Sequence, residues 1–304
     1  PFAVFATAPS MNGYTSVNAA ITIEGHKRSL GAQAAAAVFM DLEILAGAPV
    51  RLIRAGLGDS LCRSTAQADW LLAHLLLDRP YREAPFALLA DDEEALLAEP
   101  ERLVSGDLDA IRRLARTLVL SGFGMTLCGG SDPASQGEHL ISHYADMMGD
   151  PSWPSAFHGE QVGVTTLTMA RLQERMLEGR PPRLRPSSPD EAALVRHFGA
   201  ELGRSCWREL AAKRLDRAGV DAVNRRLASR WDEIRARIHA VRRTAAQLED
   251  VLRRAGAPVT FGELGWPEDF YLEAVRHARE IRSRYTFLDL AADSGMLDRL
   301  DDVL

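Results

Sequence analysis

The sequence predicts a mainly α-helical fold opened by a short segment of strands, on three observations. Runs with β character stop before Ala48, and helical signals hold almost everywhere after it. The composition, 46% hydrophobic and 26% charged, is that of an ordinary globular protein. At 304 residues the chain can hold one large or two modest domains and bury a core without disulfides. The expected division falls between residues 1–47 and residues 48–304.

Phe2 to Thr7 reads as a short buried strand ending in a turn rich in Pro9, Ser10, Asn12 and Gly13. Ala20 to Ile23 is a second β-like run, stopped by Gly25. Between Ala34 and Leu45 the alanines favour helix, whereas Val38-Phe39-Met40 suits a strand; a strand ending near Asp41 is expected. Helical boundaries then fall at Arg79-Pro80, Glu99-Pro100, Gly149-Asp150-Pro151 and the connector Arg180 to Pro189. The clearest amphipathic stripe is Leu227, Trp231, Ile234, Ile238, Val241 and Leu248. Residues 213–254 carry 12 basic and 6 acidic side chains. Because the acids are interleaved and no aromatic platform accompanies the arginines, this is read as a solvated face rather than a nucleic-acid patch.

A formal net charge of −6 disfavours general nucleic-acid and anionic-membrane binding, since both need a basic surface. Cys62, Cys128 and Cys206 are odd in number and show no CxxC spacing, so neither a disulfide framework nor a thiolate zinc site is indicated. A cytoplasmic location is the expectation. The uncharged stretch Thr117 to Ser131 is too short to cross a bilayer. The chain opens at Pro1 on an apolar run without a basic leader, and a missing upstream segment is expected.

Gly56-Leu-Gly58 and Gly122-Phe-Gly124 begin as GxG, but Leu61 and Leu127 stand where a third glycine belongs, so the dinucleotide fingerprint is absent. No GxxxxGK[ST] run exists either. The informative residues are histidines. His139 and His143 are four apart and share a helix face, and the Pro151 to Pro154 turn can return His158 to it. Glu138 precedes the pair instead of lying between its members, so this is not the HExxH motif of a metalloprotease. His26, His74, His197, His239 and His277 read as structural or solvent-exposed. Two imidazoles and a carboxylate make an N/O metal site with positions open for a substrate oxygen or water. Asp59 is attractive as the carboxylate, because its glycine flanks permit close approach and its apolar surroundings argue against an exposed loop. Spacing alone does not select it over Asp69 or Asp146.

Four segments, in this order, resemble the glycerol-1-phosphate dehydrogenases of the iron-containing alcohol dehydrogenase and dehydroquinate synthase-like superfamily. They are Thr7 to Ser16, Gly58 to Trp70, Ser121 to His143, and Ile281-Arg-Ser-Arg-Tyr-Thr286. The resemblance implies zinc, with iron as the alternative, held by Asp59, His139 and His158, with His143 facing the substrate. It implies NAD or NADP as cofactor, with Thr7, Ala8, Pro9, Ser10 and Ser16 at the nicotinamide end. Residues 1–47 would then be the remainder of an α/β nucleotide-binding domain, and residues 48–304 a helical metal and substrate domain. Four departures are visible. Asn12 stands where the family has a substrate-contacting aspartate, Arg63 replaces a lysine, Asp132 replaces an arginine, and the Gly-rich pyrophosphate loop has no counterpart.

The expected activity is hydride transfer between dihydroxyacetone phosphate and sn-glycerol 1-phosphate. Asn12, Asp59, His143 and Arg63 are the expected substrate contacts, Arg63 to the phosphate, and His143 relays the proton. The alternatives are a glycerol or polyol dehydrogenase, a dehydroquinate synthase-like lyase, or a helical metal-binding module without turnover. The expected partner is a small phosphorylated polyol or ketone, with no nucleic acid and no membrane. An unpaired sheet edge would give the chain a route to homo-oligomers, and without a pyrophosphate loop its residues are expected to bind cofactor weakly and turn over little.

Overall fold

The computed structural model describes residues 1–302. Strands are confined to the first 40 residues: β1 (Ala3–Ala6), β2 (Asn18–Ile23), β3 (His26–Gly31) and β4 (Ala37–Met40). They form two separate two-stranded sheets. β1 pairs with β4 in parallel, Ala3 opposite Ala37, and β2 pairs with β3 as an antiparallel hairpin. The hairpin turns through Glu24 and Gly25, both at positive φ, as a tight right-twisted connection requires. β3 was not foreseen, because its His26-Lys27-Arg28 opening hides the strand pattern. The first strand is also less buried than expected: Phe5 and Phe39 stack at 4.7 Å between ring centroids and both remain exposed.

Helices follow from Asp41, whose carboxylate caps α1 (Leu42–Ala46). Next come α2 (Val50–Leu61), α3 (Arg63–Leu77), α4 (Ala84–Ala87), α5 (Ala90–Ala98), α6 (Glu101–Val104) and the long α7 (Leu108–Cys128). α8 (Gly137–Met148) and α9 (His158–Leu177) lie at the centre of the molecule. Beyond the connector stand α10 (Glu191–Phe198), α11 (Ala200–Ala211), α12 (Arg217–His239), α13 (Ala245–Ala255), α14 (Glu268–His277) and α15 (Phe287–Asp293).

The late amphipathic stripe crosses two helices rather than one. Leu227, Trp231, Ile234 and Ile238 are buried on α12, while Leu248 belongs to α13, after a break that Thr244 caps. Two apolar clusters form the core. One gathers α3, α8, α10–α12, α14 and α15, and the other α1, α2, α5, α6, α7 and α13. α9 feeds both, with Met169 and Leu172 in the first and Leu167 and Ala170 in the second. Each such fully buried aliphatic side chain contributes about 1.5–3 kcal/mol. No helix among the described residues is long and apolar enough to cross a membrane.

α2 and α9 cross with their backbones in contact. A Cβ on Gly58 would lie 2.1 Å from Gly159 O, and one on Gly159 would lie 1.8 Å from Ala55 O. No side chain fits either place. This crossing sets Asp59, next to Gly58, against His158, next to Gly159.

Candidate metal centre

Three elements deliver three donors to one point. Asp59 near the end of α2, His139 in the first turn of α8 and His158 at the start of α9 have ligand atoms all within 4.8 Å of one another. Asp59 Oδ1 lies 3.7 Å from His139 Nε2 and 3.9 Å from His158 Nε2. Ligand atoms on a tetrahedral zinc are about 3.4 Å apart, given bonds of about 2.1 Å. Asp59 Oδ2 accepts from Asn12 N at 2.8 Å, whereas Oδ1 is buried and has no hydrogen-bond partner among the described residues. A buried carboxylate oxygen left open between two imidazoles fits a divalent cation.

The electrostatics suit the same reading. Burial raises the Asp59 carboxyl to about 6, against the pull of His139. Burial, with the charge of His139, lowers His158 to about 3 and His143 well below the usual histidine range, so both rings stay neutral. Neutral imidazole is the form that ligates. His139 Nδ1 is 2.9 Å from Glu138 Oε1, which also accepts from Gln136 N at 2.7 Å. Burial alone would raise Glu138, but His139 and these bonds hold its carboxyl below the usual range, so it stays a carboxylate that accepts a hydrogen bond from His139 Nδ1–H and leaves Nε2 facing Asp59.

Cys62, Glu138 and His139 also lie together. Their polar atoms, however, are already used. Cys62 Sγ donates to Asp59 O, and Glu138 Oε2 accepts from Thr65 Oγ1. Burial holds the thiol far above its usual range, so no thiolate is available.

One cleft contains His139, His143 and His158, with Asn12, Ser16 and Arg282 among its other walls. His143 Nδ1 is buried and unpartnered among the described residues. Asn12 Nδ2 donates to Ser121 Oγ at 3.3 Å, which ties the loop after β1 to α7. Thr7, Ala8, Pro9 and Ser10 run along that loop, and Pro9 O sits where a Cβ on Gly56 would fall, 1.8 Å away. Asp69 is buried elsewhere, accepting from Gly137 N and Phe287 N, and Asp146 pairs with Lys27. Neither competes with Asp59.

The structure does not bring Arg63 to this cleft. Its guanidinium pairs with Glu93, donates to Phe86 O at 3.3 Å and stacks over the Phe86 ring, so the expected phosphate contact is corrected to a buried structural pair. The reason is that Arg63, at the start of α3, meets Phe86 of α4 and Glu93 of α5, which take its guanidinium. Sequence reasoning missed Glu138, Arg282 and Arg284 as residues of the site. The family-like segment Ile281 to Thr286 was the available signal for the two arginines.

Residues 1–49 match a family model described as iron-containing alcohol dehydrogenase. A probable glycerol dehydrogenase from Sinorhizobium meliloti superposes with a TM-score of 0.57 at 17% identity, over 98% of this chain and 69% of that one. Glycerol dehydrogenase from Schizosaccharomyces pombe gives 0.57 at 16%, over 100% and 64%. The chain thus has the fold of the iron-containing alcohol dehydrogenase class. In sequence the chain is 29% identical to the glycerol-1-phosphate dehydrogenase of Bacillus licheniformis over 99% of this chain and 64% of that one. To the Bacillus subtilis protein it is 30% identical, over 98% and 65%. It therefore spans just under two thirds of the length of these relatives.

Proposed function

We propose that this chain forms the metal and substrate half of an NAD(P)-linked oxidoreductase that interconverts dihydroxyacetone phosphate and sn-glycerol 1-phosphate. The observation that carries the reading is Asp59 Oδ1, without a hydrogen-bond partner among the described residues and set between two imidazoles, with His143 Nδ1 likewise unpartnered among them in the same cleft. Asp59, His139 and His158 would hold zinc, with iron as the alternative. Residues 1–47 would contribute the nicotinamide end of the cofactor site, through Thr7 to Ser10 and Ser16. When bound, a divalent cation supplies Lewis acidity toward the substrate oxygen and the nicotinamide supplies the hydride.

The chain's own residues then do three things. The Glu138 carboxylate fixes the ring of His139. His143, kept neutral by its surroundings, holds or passes the proton at Nδ1. Asn12 braces Asp59 through its backbone and presents a neutral amide to the cleft.

The test is reduction of dihydroxyacetone phosphate by NADH and by NADPH, with and without chelator. Chelator-sensitive turnover that zinc restores supports the reading, and turnover indifferent to chelator contradicts it. A second reading, an unphosphorylated polyol as substrate, draws on Asn12, which removes a charge from the cleft. It predicts turnover of glycerol at least equal to that of glycerol 1-phosphate.

A further inference from the structure

Arg282 differs from the paired buried arginines of this molecule. Arg63 pairs with Glu93, and Arg279 with Asp289 and Asp293, but half-buried Arg282 makes no hydrogen bond and no ion pair among the described residues. It lines the cleft that holds His139, His143 and His158, and its charge is felt at His143. Burial and the charges of Arg284 and Arg28 lower its guanidinium to about 10; Glu209, the one acid acting on it, opposes them and also accepts from Ser283 N at 3.0 Å. Two further donors share the cleft. Arg284 is clamped to the 131–135 turn through Ser135 O, Ser135 Oγ at 3.0 Å and Ser131 Oγ at 2.7 Å. Asn18 Nδ2 is buried and has no partner among the described residues.

A desolvated guanidinium without a counter-charge is costly, and an anion entering the cleft removes that cost. Its planar fork suits phosphate oxygens in pairs. From this geometry we infer that Arg282, supported by Arg284 and by Asn18 Nδ2, forms the anion subsite of the cleft and binds the phosphate of the substrate. The inference deepens the reading given under Proposed function and rests on it for the identity of the substrate. It also moves phosphate recognition from Arg63 to the segment between α14 and α15.

Isothermal titration with inorganic phosphate and with sn-glycerol 1-phosphate tests the subsite without requiring turnover. Arg282→Gln is expected to weaken both ligands by about 10- to 100-fold, as loss of a charge-assisted pair does, while Arg63→Ala leaves both affinities within about threefold. Glycerol, lacking the phosphate, is expected to bind Arg282→Gln as it binds the parent. Should Arg282→Gln fail to fold, the parent protein decides: phosphate affinity falling steeply with added salt supports the subsite, and salt-independent or absent phosphate binding overturns it. Equal phosphate affinity in parent and Arg282→Gln overturns it as well. If phosphate binding depends on Arg282 but dihydroxyacetone phosphate is not reduced, the subsite stands and the proposed reaction fails.

Discussion

Two histidine clusters flank α8, and they differ in how their nitrogens are used. His139, His143 and His158 have ring centroids 5.1–6.0 Å apart. In that cluster the Asp59 Oδ1 oxygen and the His143 Nδ1 nitrogen are buried without partners among the described residues. His197 and His277 stack at 3.7 Å between centroids, yet each ring already has one nitrogen paired. Tyr144 OH is 2.9 Å from His197 Nε2, and His277 Nδ1 is 3.0 Å from Glu280. Closeness of imidazoles alone therefore does not define a site. What separates the clusters is unsatisfied buried capacity: one converges ligand atoms within 4.8 Å of one another, and the other has a partner on each ring and packs with Phe198 and Phe270.

The comparison breaks most visibly at His143. His143→Ala is expected to keep the metal but lower turnover by about 10²- to 10⁴-fold, the usual worth of a positioned acid–base group. Steady-state rates paired with metal content check this, and a variant that loses both would make His143 a ligand instead. The next effect is at Glu138. Glu138→Gln leaves the shape intact but removes the charge that accepts from His139 Nδ1–H, so metal affinity should fall about 10- to 100-fold by competition with a chelating dye. Unchanged affinity would mean the carboxylate only caps Gln136.

The closed cluster should respond in stability alone. Tyr144→Phe leaves His197 Nε2 without its partner and should cost about 1–2 kcal/mol in chemical denaturation, with metal binding unchanged. Its pH behaviour sharpens the contrast. Burial and the neighbouring His277 lower the His197 pKa, so the unfolded chain binds the proton more readily than the folded one. That contribution to stability is fully present above about pH 6.5 and is lost as pH falls below it. Melting curves of His197→Gln should accordingly drop less between pH 7 and pH 5 than those of the parent. A drop of equal size would show that His197 does not titrate on unfolding.

Much of this was legible in the residues. The HxxxH spacing placed His139 and His143 on one helix, and the glycines beside Asp59 signalled close approach, which the α2 and α9 crossing requires. The early strands and the Asp41 boundary were readable from β-branched and aromatic runs and a capping acid. Three features were not readable. Where Arg63 points depends on Phe86 and Glu93, which α4 and α5 bring to it from 23 and 30 residues away and which no periodicity marks. The pairing of Glu138 with His139 joins sequence neighbours at the start of a helix, where regular spacing rules do not apply. Arg282 reaches the cleft across a separation of well over a hundred residues, and only packing of the segment after α14 brings it there.

The central claim is that open donors, rather than clustered histidines, make the metal centre. Elemental analysis of the zinc-loaded and dialysed protein tests it, comparing the parent with His139→Ala and His277→Ala. About one zinc per chain in the parent and in His277→Ala, with almost none in His139→Ala, is the predicted result. Zinc retained at the parent level in His139→Ala, or lost in His277→Ala, would contradict the account.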